Sequence, residues 1–413
     1  MKGVDTCGDF SLAGSCINCS VEMVHPKILT VFVSLIVTSA QKSFPACRRT
    51  ICVIKTVYAQ SDIPLLFHPT QVDPTLCSHV FLKGVTLDGN KLKEPWSNGK
   101  EQLYQDLREL KKKNEKLKLL LTVGDSDVRG APFSKMAATR SRRKEFISFL
   151  IPFLRERGFD GVDLFWYFPT YFEGDASDKD RYTDLLEELK RAFREETLTG
   201  DRQKLLLSAW GHKEFKAIDR GFDVTAFARH VDMITIATFD YSGNMDQPIG
   251  HHTPVKSFKG NNIEKTAQYW VDMGMRKSKM NIALAAYGRL VNTSSASDVK
   301  LHESIAVGLP KIGNTMKTPG GLTSYEICAW SKNRGKVYWD SLARAPYHIV
   351  DNYFLSYDNV ESFKEKIRFV RTKGYGGVAI VELGEDDFLG YLCNTGIYPL
   401  ARTVKAECTT PMY

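Results

Sequence analysis

The sequence predicts an α/β chain: a (β/α)8 TIM barrel with a small α+β subdomain inserted between the seventh and eighth strands. Three observations predict it. Short, nearly continuous apolar runs alternate with helix-like segments along the 413 residues. Strands buried on both faces read this way, and helices between them imply a parallel sheet covered on its faces. Eight such units fill a barrel of about 250 residues plus insertions. The competing open, doubly wound sheet needs a Gly-rich phosphate turn, and Gly158-Phe159-Asp160-Gly161 is not followed by a third glycine opening a helix.

The elements follow in order. Ile51 to Tyr58 reads as the first strand and Ser78 to Gly84 as the second. Gln102 to Leu117 is helical, with a Lys-rich end that reads as a solvated face. Leu117 to Val123 is the third strand, running into Gly124-Asp125. Ser134 to Arg157 gives a helix and Phe159 to Trp166 the fourth strand. In the helix from Asp180 to Glu196, Leu185, Leu186, Leu189 and Phe193 fall at helical spacing. Strands five to eight are Leu205 to Trp210, Val231 to Phe239, Met280 to Tyr287 and Gly377 to Val381, with helices at 262–275 and 360–373. Residues 290–355 break the rhythm; rich in Gly, Ser, Thr and Tyr, they read as the inserted subdomain.

Charged residues make up 25% of the chain and the formal charge is +8, a globular composition with a mild basic bias compatible with acidic glycans as partners. Zinc-finger spacing, a basic region with heptads and aromatic–basic interleaving are all missing, so a nucleic-acid partner is not expected. From Lys27 to Ala40 a short apolar core follows a positive residue and ends in small residues, which reads as a signal peptide over 23–40. It is too short for stable membrane insertion. Met23 would be an acceptable start, making residues 1–22 an upstream extension and Gln41 the approximate mature start. The barrel is expected over 47–400, with a tail at 401–413. Of nine cysteines, Cys7, Cys16 and Cys19 fall in the leader, and the even remainder (Cys47, Cys52, Cys77, Cys328, Cys393, Cys408) fits three disulfides in a secreted, extracellular protein. Asn292-Thr293-Ser294 is a glycosylation acceptor in a polar loop. His251-His252 has no third ligand at ordinary spacing, so no metal or cofactor is expected.

In this barrel class the chemistry sits at the C-terminal ends of the strands. Those ends offer Gly124-Asp125-Ser126, then Asp160, Asp163, Phe165 and Tyr167, then Ser208, Trp210 and His212, then Thr238 to Tyr241, Tyr287 with Arg289, and Val381-Glu382. Asp163, Phe165 and Tyr167 share one face by the two-residue period and point inward. Acid-catalysed hydrolysis needs a protonatable carboxyl beside the leaving oxygen. A tyrosine hydroxyl, with an ordinary pKa of about 10, does not cycle its proton near neutral pH, and phenylalanine has none to give. Rescue would have to come from Asp240 or Glu382. Asp160 and Asp163 read mainly as structural carboxylates. Trp166 and Trp210 stack on sugars or pack in the core, and His212 reads as a surface residue. The acidic run Glu382, Glu385, Asp386, Asp387 reads as the N-terminal charge of the closing helix.

An ordered set of motifs over about residues 50–395 resembles glycoside hydrolase family 18, the chitinases and their inactive, lectin-like or growth-factor-like relatives. The set comprises 118–126, Gly158 to Asp163, Thr238-Phe239-Asp240-Tyr241, Tyr287-Gly288-Arg289, 324–328, Gly376-Gly377 and Asp386-Asp387-Phe388. The resemblance implies a general-acid glutamate at Tyr167 and an orienting aspartate at Phe165. It also implies a tyrosine at Phe239, a methionine at Ala237, a floor tryptophan at Val381 and a glycine at Asp125. Asp160, Gly161, Asp163 and Asp240 are retained. The pairs Cys52–Cys77 and Cys328–Cys393 are implied, leaving Cys47 with Cys408. The expectation is a pseudo-enzyme without hydrolysis and with weak or relocated binding of chitin-like oligosaccharides, for which Trp166, Trp210, Tyr171, Tyr241, Tyr287 and Arg289 are the candidates. Two other readings stay open: an altered glycosidase using a displaced carboxylate, and a barrel serving only as a protein-binding surface.

Overall fold

The first strand among the described residues, β1 (Arg49–Lys55), pairs in parallel with both the second and the last strand of a barrel and so closes it. The computed structural model describes residues 44–55, 67–95, 99–126, 128–294, 299–311, 313, 315–316 and 318–412; the leader and the end of the expected first strand lie outside them. From β1 the chain runs through β2 (His79–Asp88), a short β3 (Lys91–Lys93), α1 (Lys100–Lys113) and β4 (Lys118–Gly124). Next come α2 (Ala131–Ala137), α3 (Arg140–Arg157), β5 (Gly161–Phe165), α4 (Asp178–Glu195) and β6 (Leu206–Gly211). The second half of the barrel is α5 (Phe215–Gly221), α6 (Val224–His230), β7 (Met233–Ile236), α7 (Ile263–Asp272) and β8 (Met280–Ala285). After an insertion it ends with α9 (Val360–Lys373), β14 (Gly377–Val381) and α10 (Pro399–Thr409). The order around the barrel is β1, β2, β4, β5, β6, β7, β8, β14, all parallel. Among the described residues no helix is long and apolar enough to cross a membrane.

Alternation along β5 sorts the two cores. Val162, Leu164 and Trp166 belong to the layer between barrel and helices, while Phe165 and Tyr167 belong to the cluster inside the barrel. The helix expected from Ser134 to Arg157 is two helices. Thr139 leaves helical geometry and its hydroxyl accepts from the Arg142 amide at 3.3 Å, capping α3.

The insertion is a five-stranded antiparallel sheet of β9 (Tyr287–Asn292), β10 (Gly321–Thr323), β11 (Lys336–Asp340), β12 (Ala345–Val350) and β13 (Tyr353–Ser356), with α8 (Ser324–Ser331) on one face. Asn292 is therefore the half-buried last residue of a strand, where a polar loop was expected.

The expected C-terminal tail is also corrected. Residues up to Thr409 form α10, which buries Leu400, Ala401, Val404 and Cys408. Its N-terminus is anchored where Asp386 accepts from the Leu400 and Ala401 amides, both at 3.0 Å. Disulfides join Cys47 to Cys408, Cys52 to Cys77 and Cys328 to Cys393. The first spans 361 residues. Removing so long a loop constraint by Cys47→Ala/Cys408→Ala should cost about 2–5 kcal/mol in denaturant unfolding. An unchanged unfolding midpoint would show that α10 docks without the link.

Candidate functional site

The lumen at the C-terminal end of the barrel is filled by aromatic rings stacked above one buried carboxylate. Register places Asp163 beside Thr122 of β4 and Ser208 of β6. Its Oδ2 accepts from Thr122 Oγ1 at 2.9 Å and from Trp210 Nε1 at 2.7 Å. Burial pushes the Asp163 carboxyl up to about 6, against the opposing pull of its Ser208, Trp210 and Thr122 neighbours. Two residues on, Phe165 lies flat on Trp210, with centroids 4.2 Å apart and planes 6° from parallel. Tyr167 meets Phe165 edge-on at 5.6 Å and stacks on His212 at 4.3 Å. Phe165, Tyr167, Trp210 and Val381 are 2%, 7%, 1% and 5% exposed, so no ring presents an open platform here. Burial, and then the nearby Asp240 charge, hold the Tyr167 hydroxyl well above the ordinary tyrosine range.

A charge cluster the sequence did not reveal closes another side. Lys83 projects into the barrel from β2, its Nζ 2.9 Å from Glu382 and 3.0 Å from Asp125, and 5.6 Å over the Phe165 ring. Lys55 lies 3.7 Å from Asp125. Burial disfavours the Lys83 cation, but its two carboxylate neighbours win and hold its pKa above the usual lysine value. Asp125 is held below its ordinary value, because Lys83 and Lys55 outweigh burial. Glu385 accepts from the Glu382 amide at 2.9 Å, and burial together with the Glu382 charge pushes its carboxyl up to about 8. The sequence signal for this cluster was Asp125 in a glycine's place and a lone lysine in the apolar run Val80-Phe81-Leu82-Lys83.

Asp240 stands at a third side in left-handed backbone geometry, φ +55°. Tyr287 Oη donates to it at 3.0 Å; His252 and Arg289 lie 3.7 and 3.8 Å away. Lys213 donates to the carbonyls of Phe239, at 2.8 Å, and of Asp240. Burial would raise the Asp240 carboxyl, but His252, Lys213 and Arg289 together hold it well below the carboxylate range. His212 is buried rather than on the surface. Its Nδ1 accepts from the Glu214 amide at 2.9 Å, and burial with the neighbouring Lys213 charge lowers it to about 3, so the ring is neutral.

Other candidates sit elsewhere. Asp160 lies at the opposite, N-terminal end of β5, accepting from the Leu119 amide at 2.8 Å and from Lys111 at 2.9 Å. Gly161 beside it is required by close packing, since a Cβ would come within 2.2 Å of the Leu206 carbonyl oxygen. Trp166 stacks on Phe133 at 5.2 Å in the helix layer, where no ligand of the lumen reaches it. Tyr171 carries Arg220 4.5 Å over its half-buried ring, and Tyr241 donates to Thr266 at 2.8 Å. Tyr287 and Arg289 are buried, engaged with Asp240 and with the Gly243 carbonyl. Asp386 caps α10 as expected of the acidic run, but Glu382 and Glu385 face the barrel mouth instead. Among the described residues no group of three His, Cys, Asp or Glu is placed to hold a metal.

The Asp163 carboxyl gives a direct pH test. Its folded pKa is raised, so ionising it costs stability as pH climbs from about 4 to about 6. Asp163→Asn escapes that cost, and relative to wild type should gain about 2 kcal/mol between pH 4 and pH 7 in urea titrations. A pH-independent difference would mean that Asp163 ionises freely.

Comparison with known proteins gives a consistent answer. The model of "Glycosyl hydrolases family 18" matches residues 51–386. Mouse chitotriosidase-1 is 33% identical over 383 residues, covering 91% of this chain and 81% of the relative. Human YKL-39, described as a pseudo-chitinase with retained chitooligosaccharide binding properties, superposes with TM-score 0.81 at 30% identity, over 88% of this chain and all of that one. An immunomodulatory active chitinase from Trichuris suis superposes with TM-score 0.80 at 31% identity, over 86% of this chain and 98% of that one. With the (β/α)8 barrel, the inserted sheet and this match, the chain belongs to glycosyl hydrolase family 18.

Proposed function

We propose that this protein is a secreted, chitinase-like pseudo-enzyme that does not hydrolyse N-acetylglucosamine polymers and binds chitin-like oligosaccharides only weakly. One observation carries the reading: Tyr167, the residue that the family resemblance sets at the acid position, has a buried ring and no carboxyl, next to the closed Phe165–Trp210 stack. The displaced carboxylates are engaged. Glu382 is held by Lys83 and Asp240 by Tyr287, and Asp163 lies fully buried beneath the rings. Support for residual binding comes from human YKL-39, which pairs the term pseudo-chitinase with retained chitooligosaccharide binding. Three disulfides support an oxidising, extracellular address. The expected result is no product release from a chromogenic chitobioside, and binding of chitin oligomers only near millimolar concentration by calorimetry.

One observation favours a second reading. Burial and the neighbouring Glu382 charge raise the Glu385 carboxyl at the barrel mouth, the direction a displaced general acid needs. Sugar release by the wild type that disappears in Glu385→Gln would establish this reading and overturn the first.

A further inference from the structure

The turn and edge strand that follow α8 form an unusual surface. Residues 332–339 are all exposed. They carry three cations, Lys332, Arg334 and Lys336, and among the described residues none of the three has an ion-pair partner. Asn333 (φ +59°) and Gly335 (φ +55°) set the turn. Gly335 packs so closely that a Cβ would lie 2.8 Å from Val350 and 2.9 Å from the Ile349 carbonyl oxygen, so the backbone bearing the cations is fixed. Directly after them come Val337, Tyr338 and Trp339, 52%, 39% and 44% exposed. Trp166, Trp210, Trp270 and Trp330 are all buried, which sets Trp339 apart.

The strand geometry arranges these groups. β11 pairs with β12 alone and is the sheet's edge. Val337 and Trp339 project from one face, while Tyr338, stacked on Tyr347 at 5.2 Å, and Lys336, 5.5 Å over the Tyr338 ring, lie on the other. A lysine on an edge strand ordinarily guards against aggregation. That role does not explain three consecutive exposed apolar or aromatic residues beside it, which would create the hazard a guard is there to prevent.

We propose that this hairpin binds an acidic polysaccharide laid across its free edge, with sulfates or carboxylates on Lys332, Arg334 and Lys336 and a sugar ring reaching over the edge to Trp339. Unpaired cations on a fixed turn supply the charge complementarity, and an exposed indole supplies an apolar face for a pyranose ring. A second copy of the chain would set like charges against each other. A nucleic-acid duplex draws on a longer basic track than one three-cation turn. The site lies outside the barrel lumen and is independent of what the lumen binds.

The test uses a heparin oligosaccharide of defined length, titrated at several salt concentrations. Lys332→Glu/Arg334→Glu/Lys336→Glu should lower affinity at least about tenfold and reduce the slope of log K against log salt by about 2–3. A control reversing three exposed lysines around the end of α1, Lys112→Glu/Lys113→Glu/Lys116→Glu, changes net charge equally and should leave binding nearly unchanged. Trp339→Ala should weaken binding about fivefold with the salt slope preserved. Equal losses in the two triple variants would overturn the proposal. So would duplex DNA bound as tightly as the oligosaccharide and indifferent to Trp339→Ala. Because all the substituted side chains are exposed, thermal melts of the variants are expected to match the wild type.

Discussion

Lys83→Met should destabilise the fold by about 3–5 kcal/mol at pH 7, among the largest effects of any single substitution in this chain. The substitution keeps the apolar stem but removes the ammonium that bridges Asp125 and Glu382, 3.0 and 2.9 Å from Nζ. Both carboxylates are mostly buried, so Glu382 would bear its desolvation without its ion-pair partner and Asp125 would keep only the more exposed Lys55 at 3.7 Å. The pH dependence follows from the wild-type shift. Asp125 is held low, so its favourable contribution is present above the unfolded carboxylate pKa of about 4 and is lost as pH falls below it. In the variant the same group is raised instead, so its penalty appears as pH rises. The deficit should therefore be large at pH 7 and small near pH 4, read from urea unfolding at the two pH values. Adding Asp125→Asn and Glu382→Gln should recover much of it. A Lys83→Met protein as stable as wild type at pH 7 would show that water already reaches and solvates the triad.

Phe165→Asp/Tyr167→Glu, which installs the acid pair that the family resemblance sets at these positions, should confer no chitinase activity and should cost about 3–5 kcal/mol in stability. Phe165 is sandwiched between Trp210 and the Lys83 ammonium, and Tyr167 between Phe165 and His212. A carboxylate at 165 would sit two residues from the already raised Asp163 and compete with it for the same few donors. The surroundings would still offer a carbohydrate little: Val381 presents no aromatic ring, Phe239 carries no hydroxyl, and Lys83 is paired with Glu382. Turnover of a chitobioside by the double variant at even a slow, reproducible rate would mean that the cleft has kept its shape and lost only the acid.

The sequence went furthest where chemistry is local. The two-residue period placed Phe165 and Tyr167 inside the barrel, and both are there. The even cysteine count and the acidic cap of the closing helix were similarly readable, and the structure shows the three disulfides and the Asp386 cap. Errors came where burial decides. His212 and Lys213 look like a polar surface pair, yet packing against Tyr167 and the Asp240 loop buries the imidazole and uncharges it. Trp166 and Trp210 are indistinguishable in the sequence as sugar-stacking candidates. The strand pleat sends one to the helix layer and the other beneath Phe165, closing both to a ligand.

The sequence by itself determined the barrel, its insertion and the aromatic pair Phe165 and Tyr167 on the inner face of β5, because apolar periodicity and residue identity are properties of the chain. The tertiary structure alone decided what replaced the missing chemistry. Lys83 lies in β2, and Asp125 and Glu382 directly follow β4 and β14; each is locally odd, as the lone lysine in an apolar run is, but the local sequence does not say which residues meet. Closure of the barrel brings them to one point, where low dielectric turns three ordinary surface-type residues into a fixed ionic plug.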